Sequence, residues 1–158
     1  MVGWLERATP YQLKQLAARS IGDLWAFPHS QLYAEPGHLV ELGLLDEERE
    51  AEGRRRRVYT LTAAGRQALD DWLREPTSEQ PQIRDAGLLK LFFGEGLSAD
   101  EVTELAQAQE EAHRARLAVY ETKADTVTNP KHAAVVRAGL LHERTFAEFW
   151  REVAATPP

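Results

Sequence analysis

The stretch from Gly43 to Thr62 restricts the possible folds more than any other part of the sequence. Gly43 is a helix stop and Thr62 is a helix N-cap, so neither neighbouring helix extends into this stretch. Val58-Tyr-Thr-Leu61 has the β-branched and aromatic composition of a strand, and a charged turn centred on Gly53 precedes it. We therefore predict two short strands that form a β-hairpin between helices.

A helix signal lies well before the hairpin. Thr9-Pro10 combines an N-cap hydroxyl with a proline in the first turn, which predicts a helix through about Ser20 that Gly22 ends. The side chains that this helix would bury are Leu13, Leu16 and Ala17.

A second helix is predicted from His29-Ser30 to about Leu42. Its apolar residues recur on one face, namely Leu32, Leu39 and Leu42. The other face is small and polar and contains Gln31, Ala34, Glu35 and His38. With Val2–Arg7 as the stub of a first helix, the order of elements is helix, helix, helix, β-hairpin, helix.

This order favours a winged helix-turn-helix. Two helices that meet at a sharp angle direct the polar face of the second helix outward, where it fits the DNA major groove, about 12 Å wide. Four consecutive arginines at the hairpin, Arg54–Arg57, would reach the flanking phosphates. The alternative is that the basic hairpin is an inert solvated surface.

The candidate DNA contacts follow from side-chain chemistry. Gln31 can form two hydrogen bonds with adenine, and serine or tyrosine hydroxyls bond phosphates. Glu35 repels phosphate unless it accepts from cytosine, so we place it at the groove edge or in a surface ion pair. Tyr33 could instead pack its ring on the core, and Lys14 could be a solvated side chain. The predicted DNA-binding residues are Tyr11, Lys14, Ser30, Gln31, Tyr33, His38, Arg54, Arg55, Arg56 and Arg57.

The segment Glu75–Gln82 divides the chain. It has two prolines and no large apolar residue, which is typical of a linker. It separates a predicted winged helix-turn-helix DNA-binding domain, residues 1–75, from a predicted helical dimerisation domain, residues 83–158. The expected fold class is therefore mainly α with a small β-hairpin.

Three helices are predicted in the second domain. The first is Ile83–Phe93, which ends at Gly94. The second is a long helix that starts at a capping box, Ser98 and Glu101, and runs towards Asp125. After a break at Asn129-Pro130, the last helix runs from about Lys131 to Ala155.

The last helix is too apolar to bury its two apolar rows against one partner helix. An intramolecular bundle is one explanation, and dimerisation is the one that we favour, because twofold symmetry doubles DNA contacts. The predicted dimer interface is Val135, Gly139, Phe146, Phe149, Trp150 and Val153. Four aromatic residues either line an effector pocket at the dimer interface for a flat apolar molecule or belong to the core; they are Trp25, Phe27, Trp72 and Trp150.

Composition excludes several classes of protein. Hydrophobic residues make up 43% and charged residues 28%, as in a folded globular protein. Without cysteine there is no disulfide, thiolate metal site or cysteine nucleophile. No apolar run approaches the roughly 18–20 residues of a membrane span, and the start lacks signal-peptide features, so we expect a cytoplasmic protein that contacts no membrane.

The net charge of −6 is the main argument against DNA binding. Residues 1–75 contain 10 basic and 12 acidic residues, and residues 76–158 contain 9 and 13. The alternative function is therefore a winged-helix adaptor that binds another protein and no DNA. An enzyme is not predicted, because there is no nucleophile elbow and no Gly-rich phosphate loop. The five histidines lack the spacing of metal-ligand pairs, so neither a metal nor a cofactor is predicted.

Several blocks of the sequence resemble the PadR family of bacterial transcriptional regulators. They are Thr9-Pro-Tyr-Gln-Leu-Lys14, Trp25-Ala-Phe-Pro-His-Ser-Gln-Leu-Tyr33, Leu42-Gly-Leu-Leu45 and Val58-Tyr-Thr-Leu-Thr-Ala-Ala-Gly-Arg66. The block Arg84-Asp-Ala-Gly-Leu-Leu-Lys-Leu-Phe-Phe-Gly94 is similar to the start of the virulence-activator-like C-terminal domain of many members. The resemblance covers nearly the whole chain.

The resemblance implies a homodimeric regulator, usually a repressor, that a small molecule or another signal releases from DNA. The implied partners are double-stranded DNA with a pseudo-palindromic operator, a second copy through the C-terminal helices, and a small aromatic effector. Two features depart from the family. Only Val2–Arg7 stands for the first helix, and Pro36 lies inside the predicted recognition helix, where it would bend the helix at Glu35.

Overall fold

The computed structural model describes residues 1–20, 25, 28–49 and 56–158. It divides into two compact units, Met1–Gln80 and Pro81–Pro158. The described residues are mainly helical, with one small antiparallel sheet. The predicted fold class is confirmed.

The described residues of the first unit form four helices and three strands. They are α1 (Val2–Leu5), β1 (Arg7–Ala8), α2 (Pro10–Ser20), α3 (His29–Glu41), β2 (Leu45–Arg49), β3 (Arg57–Leu61) and α4 (Ala63–Arg74). The sheet order is β1-β3-β2. Strands β2 and β3 form the predicted hairpin, in a register that runs from Leu45 opposite Leu61 to Arg49 opposite Arg57.

Strand β1 is absent from the sequence-based prediction, which treats Val2–Arg7 as a helix stub. The helix ends at Leu5, Glu6 has a positive φ of 59°, and Arg7 and Ala8 pair with Thr60 and Tyr59 of β3. A strand of two residues has no periodicity of its own. Its pairing with β3 is what defines it.

Helix α2 begins where the prediction places it. The Thr9 backbone N–H donates to Gln12 Oε1 at 2.8 Å, and the Gln12 N–H donates to Thr9 Oγ1 at 3.3 Å, so two helix-end donors are satisfied reciprocally. Leu13 and Ala17 are buried and Leu16 is half-buried. The predicted stop at Gly22 lies outside the described residues.

Helix α3 ends in a left-handed turn at Gly43, which has a φ of +69°. The Leu44 N–H donates to the Leu39 carbonyl and the Gly43 N–H to the Val40 carbonyl, both at 2.9 Å, a Schellman motif. Leu42, which the spacing places on the apolar face with Leu32 and Leu39, follows the last turn of the helix and is 57% exposed. Pro36 lies inside a helix that continues through it, on the buried side with Leu32.

Helix α4 packs closely on the connection between α3 and β2. Thr62 caps α4, as predicted, by accepting from the Gly65 N–H at 2.9 Å, and it also donates to the Gly43 carbonyl at 2.8 Å. Gly65 is buried, and a Cβ built there would overlap the Leu44 carbonyl oxygen. This close approach holds the hairpin beside α3.

The second unit contains α5 (Ala86–Phe92), α6 (Ala99–Thr126) and α7 (Pro130–Ala155). The first of these begins later than the predicted Ile83, because Asp85 caps it by accepting from the Gly87 and Leu88 N–H groups at 2.7 and 3.0 Å. The predicted capping box at Ser98 and Glu101 and the predicted break at Asn129-Pro130 are both present.

Helices α6 and α7 form an antiparallel pair that contains the core of the second unit. A Cβ at Gly139 of α7 would overlap the Tyr120 ring of α6, so these two backbones approach closely. Trp150 is fully buried, and its ring lies near Gly87 of α5. In the part of the chain that the structure describes, no helix is both long and apolar enough to cross a bilayer.

Candidate nucleic-acid interface

Helix α3 presents a small and polar surface to solvent. Its core side is Leu32 and Pro36, both buried, with Leu39 half-buried. Helical periodicity directs Ser30, Ala34 and Glu41 away from that side, and all three are exposed. We call the line of Ser30, Ala34 and Glu41 the crest of the helix. The crest is free of large apolar side chains, which permits close approach to another molecule.

The predicted DNA-binding residues of α3 lie on its crest and along both flanks. Tyr33 is 53% exposed on one flank, so its ring does not pack in the core. Gln31 and His38 are exposed on the other flank, where His38 Nδ1 lies 3.7 Å from Glu41 Oε2. On α2, Tyr11 is exposed and its hydroxyl accepts from Gln15 Nε2 at 2.7 Å, and Lys14 is half-buried.

The wing, which we define as β2, β3 and residues 50–56 between them, contains the arginine run. Arg56 is exposed, and Arg57 is the first residue of β3. Arg54 and Arg55, like Gly53 at the predicted turn, lie outside the described residues. Arg49 lies directly opposite Arg57, so the described end of the wing has a basic residue on each strand.

A carboxylate that the sequence analysis missed pairs with both of these arginines. Glu47 Oε1 accepts from Arg49 Nε at 3.2 Å, and Glu47 Oε2 lies 3.5 Å from Arg57 Nη1. The Tyr59 hydroxyl also donates to Glu47 Oε2, at 3.2 Å. We call Glu47, Arg49, Arg57 and Tyr59 the wing cluster. Alternation along the strands would have indicated that Glu47 and Arg49 share a face, but only the hairpin register adds Arg57.

The wing cluster keeps its carboxylate ionised. Partial burial would raise the pKa of Glu47, but hydrogen bonds from Arg49 and Tyr59 and the charges of both arginines outweigh burial and hold that pKa below its usual value. Burial raises the pKa of Tyr59, and the adjacent Glu47 charge adds to this effect. The stabilising effect of Glu47 is therefore complete above the pKa of an unfolded glutamate and is lost as the pH falls through its lowered folded value.

An apolar cavity of about 790 Å³ lies in the first unit. Its lining is mainly aliphatic and includes Gln31 and Glu35 of α3 and Trp72 of α4. Trp72, one of the predicted pocket aromatics, is 68% exposed. Trp25 is also exposed, and Phe27 lies outside the described residues. Trp150 belongs to the other unit, where its Nε1 has no hydrogen-bond acceptor among the described residues.

The predicted dimer surface of α7 is partly used within the second unit itself. Gly139 packs on Tyr120 and Trp150 is fully buried, so neither offers surface to a second copy. Phe146 and Val153 are half-buried. Val135 and Phe149, at 44% and 37% exposure, are the members with the most accessible surface.

A buried polar network between α6 and α7 is a second feature that the sequence analysis missed. His113 Nδ1 lies 2.6 Å from Glu143 Oε2, and Arg116 Nη2 lies 3.2 Å from Glu143 Oε1. His113 and Glu143 are 6% and 1% exposed. They are 30 residues apart in sequence, so no local spacing indicates the pair. Across the described ranges, no three His, Asp or Glu side chains converge as a metal-ligand set.

Two family models match the chain in succession. The model of the Transcriptional regulator PadR-like family matches residues 4–71, and that of the Virulence activator alpha C-term domain matches residues 83–156. The negative transcriptional regulator PadR of Bacillus subtilis is 29% identical over 109 residues, which are 68% of this chain. The alignment spans only 60% of that relative's length.

Solved structures show the same fold. B. subtilis PadR in complex with operator DNA has a TM-score of 0.81 at 24% identity, with 94% of this chain and 90% of that chain covered. B. subtilis PadR in complex with p-coumaric acid has a TM-score of 0.76 at 24% identity, over 94% and 89%. The Vibrio cholerae virulence activator AphA has a TM-score of 0.68 at 27% identity, over 94% and 88%. Residues 4–71 are therefore similar in sequence to the PadR-like family of transcriptional regulators, and 94% of the chain shares the fold of B. subtilis PadR.

Proposed function

We propose that the protein is a homodimeric, sequence-specific DNA-binding regulator in the cytoplasm, a repressor that a small molecule or another signal releases from its operator. The exposed small and polar face of α3 beside a wing with basic residues on both strands is the observation that carries this proposal. Residues 1–75 would bind DNA, and residues 83–158 would dimerise. A dimer would bind a pseudo-palindromic operator, because each half-site meets one α3.

The functional group of each exposed side chain indicates which part of the DNA it would contact. Gln31 and His38 on one flank of α3, Tyr33 on the other and Ser30 at its start would contact base edges or the adjoining backbone in the major groove. The arginines of the wing, Arg54–Arg57, would contact flanking phosphates, and Tyr11 and Lys14 of α2 would contact the backbone on the other side.

We place the effector site in the apolar cavity of the first unit. The cavity is within the usual size range of small-molecule sites, and Trp72 offers a ring on which a flat aromatic molecule could stack. Gln31 and Glu35 connect the cavity directly to α3. A ligand there would shift the position of the helix that reads the operator. The solved complex of B. subtilis PadR with p-coumaric acid makes a phenolic acid a reasonable first probe.

The test of DNA binding is a fluorescence-anisotropy titration of the purified protein against duplex from its own upstream region, with scrambled duplex as the control, over a salt series. We expect binding that is at least ~10³-fold tighter on the upstream duplex and that weakens steeply with salt. Equal, weak binding to both duplexes would leave only nonspecific attraction. A folded dimer that binds neither duplex at low salt would favour the adaptor function instead.

Replacing Arg54–Arg57 by alanine is expected to weaken binding to every duplex by a similar factor. The slope of log K against log salt should become shallower by about 0.9 for each phosphate that the wing no longer binds. Arg151→Ala is the control, because Arg151 is an exposed arginine of α7 that pairs with Glu148. Unchanged operator binding by the alanine wing would show that the run does not contact DNA.

A further inference from the structure

Within the wing, Arg49 and Arg57 have an acidic partner, Glu47. Glu47 lies opposite Tyr59 and Arg49 lies opposite Arg57, so the whole wing cluster shares one face of the hairpin. Two arginines directly opposite each other repel, and Glu47 is one side-chain step away from both. Its single negative charge therefore offsets the repulsion between the two guanidinium groups, and the three side chains together keep a net charge of +1.

The carboxylate is held in place more firmly than the arginines that it binds. The Glu47 side chain is 18% exposed and accepts from Tyr59, which is 1% exposed. The side chains of Arg49 and Arg57 are 65% and 54% exposed. Exposed ion pairs of this kind are weak, so another anion can replace the carboxylate as the partner of either arginine.

DNA phosphate is the anion that the proposed function would bring to this face. If the wing contacts DNA, as proposed above, Glu47 and the DNA phosphates compete for the positive charge of Arg49 and Arg57. We propose that Glu47 is an internal counterion that competes with DNA phosphates for Arg49 and Arg57 and so limits the affinity and the salt dependence of operator binding. The competition also identifies Arg49, which lies outside the arginine run, as a phosphate-contacting residue.

The neighbouring residue Glu48 provides a matched control. It lies on the opposite face of the same strand, and its Oε2 is 2.7 Å from Arg7 Nη2. Glu47→Gln and Glu48→Gln change the net charge of the protein equally. A difference between these two variants therefore reports the partner of the carboxylate rather than total charge.

The experiment measures operator binding of wild type, Glu47→Gln and Glu48→Gln by anisotropy between low and moderate salt. Glu47→Gln should make the slope of log K against log salt steeper by about 0.9 for each arginine that binds a phosphate in place of the carboxylate. Each such phosphate should tighten binding on the order of tenfold at 0.1 M salt. Glu48→Gln should keep the wild-type slope. Glu47→Gln combined with Arg49→Ala and Arg57→Ala should abolish this increase in affinity.

The results distinguish failure of the internal-counterion role from failure of the proposed function. Provided that the wild type binds, three results would overturn the internal-counterion role. They are an unchanged salt slope in Glu47→Gln, an equal increase of the slope in Glu48→Gln, and weaker operator binding by Glu47→Gln. Wild-type protein that binds no duplex would instead overturn the proposed function. If Glu47→Gln does not fold, Glu47→Asp serves in its place, because its shorter side chain weakens both ion pairs and should give a smaller steepening of the slope.

Discussion

Gly65→Ala is expected to lower the free energy of unfolding of the Met1–Gln80 unit by about 3 kcal/mol. The added Cβ would overlap the Leu44 carbonyl oxygen, with Leu61 Cδ2 also 3.0 Å away. The obstacle is backbone, so no rotamer change relieves it. Helix α4 would have to move away from the connection between α3 and β2, and this shift would also weaken the hydrogen bond from Thr62 to Gly43. Urea unfolding followed by circular dichroism measures the loss.

Gly37→Ala is the control for that prediction. Gly37 is also inside a helix, and apart from its chain neighbours and the backbone of that helix, no atom of the described residues lies within 4 Å of a Cβ built there. Alanine favours a helix over glycine by about 0.8–1 kcal/mol, so this variant should be slightly more stable than wild type. Equal destabilisation of both variants would show that close packing at Leu44 is not the reason for Gly65.

Glu143→Ala is expected to destabilise the Pro81–Pro158 unit by about 3 kcal/mol, because it leaves a buried imidazole without its hydrogen-bond partner and removes buried side-chain volume. The substitution leaves His113 buried without its 2.6 Å partner and removes the carboxylate that Arg116 contacts. It also creates a cavity between α6 and α7. Glu143→Gln, which preserves the shape and one acceptor, should cost less, about 1.5–3 kcal/mol. Chemical unfolding at a fixed protein concentration measures both.

Glu148→Ala on the same helix provides the comparison. Glu148 and its partner Arg151, at 3.4 Å, are both mostly exposed, and such pairs contribute about 0–1 kcal/mol. Losses of similar size in Glu143→Ala and Glu148→Ala would contradict the stabilising role of the buried network. They would mean that the α6–α7 pair depends on apolar packing alone.

The candidate site shows where reasoning from sequence succeeds and where it stops. Periodicity alone indicates that Gln31, Ala34, Glu35 and His38 lie away from the Leu32 side of α3, and all four are exposed. The ion pairs of Glu47 depend on the register of β2 and β3, and that register is set by which strand faces pack on the helices. The run Arg54–Arg57 therefore looks uniform in sequence, whereas the structure pairs Arg57 with Glu47.

The sequence by itself determined most of the helix ends. Thr9 with Gln12, Thr62 with Gly65, and Ser98 with Glu101 form hydrogen bonds across only three residues, so the signal and its effect lie in the same short segment. Only the tertiary structure decided the pairing of β1 with β3, the contact of Gly65 with Leu44, and the burial of Glu143 against His113. Each of these joins residues at least 20 positions apart, and such contacts exist only after the helices and strands have packed.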